Sequence, residues 1–185
     1  MGPSSRTAAA DLAALRAFHA AVDMEAAALA RRHAARLTCR RGCAACCLDD
    51  LTVTPVEAER IRRDAPEVLE QEPHAPGACA FLDEQGACRI YAARPYVCRT
   101  QGLPLVVFEE DEAGDVDERR DICPLNAEGE PLAELGLDEL WLLGPRELIL
   151  QRIDEHFAGA EAPRVRLRDL FAKPAAQGAA GSSAR

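Results

Sequence analysis

The sequence predicts a mostly α, irregular single domain with small β-hairpins, organised around its cysteines. Three observations predict it: an Ala-rich amphipathic stretch over residues 7–36, a middle broken by prolines and glycines between short apolar runs, and eight cysteines. Four of these crowd together as Cys39, Cys43, Cys46 and Cys47, the pattern C-x3-C-x2-C-C. At 185 residues the chain suits one domain, since domains commonly run to about 100–150 residues. It divides into an N-terminal amphipathic helix (1–37), a cysteine-bearing region (38–125), a C-terminal helical segment packing on it (126–172) and a disordered Ala/Gly/Ser tail (173–185).

The first element is a long helix over 7–36, with Leu12, Leu15, Phe18, Val22, Leu29 and Leu37 at helical intervals and charged residues between them. His19 and His33 lie on it and read as solvated surface histidines. The run from Cys39 to Cys47 follows. As a helix it would set its cysteines on one face; broken at Gly42, it would form a loop knuckle, and either geometry converges the sulfurs.

Thr54-Pro55-Val56-Glu57 is a helix start, with Thr54 as N-cap, Pro55 in the first turn and Glu57 closing a capping box, so a helix is expected over 55–64. Pro66, Pro73, Pro76 and Gly77 then make a connecting loop in which His74 is exposed. Ala80-Phe81-Leu82, a turn at 84–86 and Cys88 to Tyr91 read as one small hairpin, with Ala92 and Ala93 as a short helical turn into Arg94-Pro95. The apolar run 103–108 and Ile122-Cys123 make a second hairpin, with the acidic run 109–121 as a solvated tip. Helical segments are expected over 138–143, broken by Gly144-Pro145, and over 145–157, with Leu148, Ile149, Ile153 and Phe157 on one side and Trp141 in the core. No internal repeat is visible.

Charge narrows the function. The tally of 31 acidic against 22 basic residues, a net of −9, argues against nucleic-acid and anionic-membrane partners. No apolar run approaches the ~20 residues of a membrane helix, and the N-terminus shows no signal sequence, so a cytoplasmic protein is expected. In a reducing compartment structural disulfides are rare, and clustered thiolates repel one another unless a soft cation neutralises them. All eight cysteines, Cys39, Cys43, Cys46, Cys47, Cys79, Cys88, Cys98 and Cys123, are therefore candidate metal ligands, for zinc or an iron–sulfur cluster, in one site or two. Arg40, Arg41, Arg89, Arg94 and Arg99 stand beside them as candidate counter-charges. Cys39, Cys43 and Cys46 also fit the C-x3-C-x2-C spacing of radical S-adenosylmethionine enzymes, but Ala45 precedes the last of them and no string of βα units follows. There is no G-x-S-x-G, H-E-x-x-H, Walker loop or G-x-G-x-x-G.

The succession C39-R-R-G-C-A-A-C-C47, T54-P-V-E-A-E-R-I61 and C88-R-I-Y-A-A-R-P-Y-V-C-R99 resembles the YkgJ-type cysteine-cluster family, the CxxCxxCC zinc- or iron-chelating proteins. Cys39, Cys43, Cys46, Cys47, Cys88 and Cys98 match its cysteines by position, with a C-x3-C start where the family name has C-x2-C. The resemblance implies a small bacterial cytoplasmic metal chelator. Two alternatives are an iron–sulfur oxidoreductase or radical-type enzyme, and a metal-stapled adaptor whose amphipathic ends dock a protein partner.

Overall fold

A computed structural model describes residues 5–171; the tail expected to be disordered lies outside the described residues. Among the described residues, five α-helices and two small sheets make a mixed α/β domain, richer in strand pairings than the sequence implies. Helix α1 (Ser5–Arg32) buries a stripe of Ala8, Leu12, Leu15, His19, Val22, Ala26 and Leu29. It ends before residue 36 because tertiary bonds take over. The His33 ring meets the Glu139 carbonyl at 2.7 Å, and the Arg36 guanidinium and Thr38 amide donate to the backbone and side chain of Asn126.

Strand β1 (Thr52–Val53) leads into α2 (Pro55–Asp64), which starts at the expected capping box. The expected loop after it contains a short helix, α3 (Pro66–Leu69). The first expected hairpin reduces to one bridge, Leu82 with Cys88, because the chain turns at once into the single 3-10 turn Tyr91–Ala93. Helix α4 (Tyr96–Arg99) follows and carries Cys98.

The second hairpin forms from β2 (Leu105–Glu110) and β3 (Val116–Asp121). Its acidic residues thus belong mainly to the strand arms. The helix expected over 138–143 is replaced by a 3-10 turn, Leu137–Glu139, and strand β4 (Trp141–Leu142), which runs parallel to β2. Pairing won over local propensity there: Trp141 N–H donates to the Pro104 carbonyl and Leu143 N–H to that of Val106. Helix α5 (Pro145–Ala158) turns Leu150, Ile153 and Phe157 inward. Leu148 and Ile149, expected on that side, are 56% and 48% exposed. Strand β5 (Val165–Arg166) closes on β1, and the chain passes into the 3-10 segment Leu167–Phe171.

Two larger apolar clusters flank the cysteine-bearing loops. One gathers Leu12, Leu15, Phe18, Val22, Tyr96, Trp141 and Leu150. The other gathers Val53, Ile61, Phe81, Ile90, Leu167 and Leu170, with Cys79 buried in it and Cys47 and Cys88 against it. No described helix is long and apolar enough to cross a membrane.

Candidate metal centre

The run from Cys39 to Cys47 is a knuckle of two turns, closed by Cys43 N–H to the Arg40 carbonyl and Cys47 N–H to the Ala44 carbonyl, each 2.9 Å. Gly42 makes the first turn possible at φ +85°, a region that favours glycine, and its Cα faces the Gln85 carbonyl so closely that a Cβ would stand 3.3 Å away. The knuckle is thereby pressed on the loop before Cys88. Cys79 N–H donates to the Cys47 carbonyl at 2.9 Å, which brings a third cysteine segment alongside.

Five sulfurs act on one another's protons. Cys47 donates its S–H to Cys46, and that bond pulls the Cys46 thiol down to about 6 against the opposing effect of burial. The same bond, then burial, then the sulfurs of Cys46, Cys79 and Cys98 push Cys47 far up. Burial pushes Cys98 up to about 12, helped by Cys79, Cys88, Cys46 and the Glu57 carboxylate. Burial also raises Cys79 and Cys88, each partly offset by backbone N–H donors and by the charges of Arg168, Arg94 and Arg89. Cys46 is therefore the most easily ionised thiol of the five, while the bond to Cys46 pushes Cys47 up and burial pushes up Cys79, Cys88 and Cys98.

Cys39, Cys43 and Cys123 have other neighbours. Cys39 lies against Gly102, where a Cβ would fall 2.4 Å from its sulfur, and accepts a 3.4 Å bond from Asn126 Nδ2. Asn126 is fully buried and uses the rest of its amide on the Gly102 carbonyl and on Thr38. The Cys123 carbonyl accepts the Asn126 N–H at 2.7 Å, and Cys43 lines a shallow depression with Thr38 and Leu125. All eight cysteines are free thiols.

Residues 38–124 match the CxxCxxCC family model. Its description is a putative zinc- or iron-chelating domain, and the match covers a little under half of the chain. No curated protein and no solved structure matches the chain. The donor chemistry of the CxxCxxCC segment fits such a metal, since cysteine sulfurs are soft donors that a bound divalent cation would deprotonate. Among the described residues no three His, Cys, Asp or Glu side chains are arranged to hold an ion as they stand.

The candidate counter-charges behave unequally. Arg89 and Arg94 act on the sulfurs only through their charge; their hydrogen bonds go to Ala80, Glu72 and Gln71 and to Tyr91 and Asp23. Arg99 is spent on Asp23 and the Ala92 carbonyl, and Arg40 on the Thr38 carbonyl. The histidines expected at the surface are instead buried, His19 at 1% exposure and His33 at 7%. His19 accepts from Arg60 at Nδ1 and so carries its proton on Nε2, 3.3 Å from Glu57 Oε1; burial holds it neutral, below its ordinary range.

Glu57, read from the sequence only as a capping-box residue, has a second role across the helix interface that sequence reading missed. It is 3% exposed, and its carboxylate accepts from His19, from Thr54 N–H and Oγ–H, and from Tyr96 N–H at 2.7 Å. Burial disfavours its charge, but the bonds from His19 and Tyr96 prevail and keep it ionised. Because α4 has no side-chain cap of its own, Glu57 caps it from α2 and fixes where Cys98 is presented. A signal for this network existed, since His19 falls four residues after Leu15 and seven after Leu12 on the buried stripe.

Proposed function

We propose that the protein is a metal chelator that binds zinc or an iron–sulfur cluster through cysteine thiolates. The observation that carries the reading is the approach of cysteines from four separate segments: Cys79 N–H donates to the Cys47 carbonyl at 2.9 Å, Cys47 and Cys88 pack against the apolar cluster that buries Cys79, and Cys46 and Cys98 act electrostatically on these sulfurs. Cys39 and Cys123 contact Asn126, and Cys43 lines a depression with Thr38 and Leu125. When bound, the metal supplies the positive charge that lets buried sulfurs ionise together, and as an iron–sulfur cluster it would add one-electron chemistry. The protein's own part is to bring the sulfurs near, bury Cys79, and make Cys46 the most easily ionised of the five thiols.

The test is elemental analysis with an absorption spectrum on anaerobically purified protein. Zinc or iron bound in stoichiometric amount supports the reading, with visible absorption marking the cluster form. Protein that holds neither metal and takes up none on titration contradicts it.

A further inference from the structure

We infer that Arg168, which lies outside the CxxCxxCC segment, is a positioning residue for the thiol cluster, strapping together the loops that carry Cys47 and Cys79. The inference rests on the metal-chelating reading above. The guanidinium donates to four groups on those two loops: the Asp49 carboxylate through Nε, the His74 carbonyl at 2.8 Å through Nη1, and the Ala78 and Ala75 carbonyls at 2.9 and 3.3 Å through Nη2. Asp49 stands two residues after Cys47, and Ala78 immediately precedes Cys79. The Asp49 carboxylate in turn accepts from Gly77 N–H at 3.0 Å, closing the strap from the other side.

Arg168 is itself held in place. Leu167 and Leu170 on either side of it are buried in the apolar cluster under the cysteines, and Leu167 N–H donates to the Leu51 carbonyl at 3.0 Å. A planar fork of five donors satisfies several carbonyls at once, which a single ammonium cannot do. Outer-sphere groups of this kind orient ligands, and losing one typically costs about 10- to 100-fold in metal affinity.

The experiment uses the full chain carrying Arg168→Lys, with Arg168→Ala beside it, and titrates metal-free protein with Zn2+ against a competing chelator and with Co2+ followed by sulfur-to-metal absorption. The inference predicts affinity weakened about 10- to 100-fold in Arg168→Lys and an altered Co2+ spectrum, while the melting temperature of the metal-free variant stays at the wild-type value. Wild-type affinity and spectrum in both variants would overturn it. So would a loss of affinity matched by an equal loss of metal-free stability, which makes Arg168 a fold residue only. Wild-type protein that binds neither ion overturns this inference and the zinc form of the chelating reading, whereas normal wild-type binding with unaffected variants overturns only the role of Arg168.

Discussion

The five inner thiols and the three outer ones differ in what surrounds them. Cys46, Cys47, Cys79, Cys88 and Cys98 act electrostatically on one another, and of these Cys79 is buried in the apolar cluster of Phe81 and Ile61 with Cys47 and Cys88 packed against it. Cys39 is instead held by an amide, Cys43 lines a depression with Leu125, and the Cys123 carbonyl accepts from Asn126 N–H. The tight run 39–47 is thus divided between the two groups. Closeness along the chain did not decide grouping in space; the turns on either side of Gly42 and the bond from Cys79 to Cys47 did.

The largest effect expected from that difference is on metal removal. Chelation should lower the unfolding temperature by about 10 °C, because a ligand at a thousandfold its Kd contributes about 4 kcal/mol and each kcal/mol is worth about 2–4 °C in a chain of this size. Hydrogen exchange should speed up around the inner cysteines and stay slow in α1 and α5; uniform acceleration through the chain would break the comparison. Next comes Glu57→Ala, which strands the Tyr96 N–H, the Thr54 donors and His19. A loss of about 3–5 kcal/mol is expected from denaturant unfolding, with metal content falling because α4 no longer presents Cys98 at a fixed place. Unchanged metal content in a folded Glu57→Ala protein would show that α4 does not serve the inner group.

Asn126→Ala should be milder, at about 1–3 kcal/mol, and should leave metal content intact, because it loosens Thr38 and Cys39 and no inner thiol. The smallest effect is on pH dependence. Cys46 ionises more easily in the folded chain, so metal-free stability should rise with pH from about 6 towards the ordinary thiol range. Above that range the trend should reverse, since the unfolded chain loses thiol protons that Cys47, Cys79, Cys88 and Cys98 retain when folded. Chemical denaturation of metal-free protein across that span measures both slopes, and a flat profile would contradict the assigned thiol environments.

Local signals were legible and non-local ones were not. The capping box at Thr54 and Glu57 and the helix at Pro145 are written in consecutive residues, and both helices start there. The end of α1, the strand at Trp141 and the exposure of Leu148 depend on partners far away in sequence, and local pattern misjudged each. The cysteine segment was recognisable from its spacing, but its division into five and three was not. That division depends on contacts between turns, on a carboxylate whose second role lies across a helix interface, and on Arg168, beyond the matched segment.

The most direct test compares Cys98→Ser with Cys43→Ser in anaerobically purified full-length protein, measuring metals per chain. The five-thiol account predicts that Cys98→Ser loses the metal while Cys43→Ser retains it at the wild-type amount. Retention in Cys98→Ser with loss in Cys43→Ser would place the metal among the outer cysteines and contradict the account.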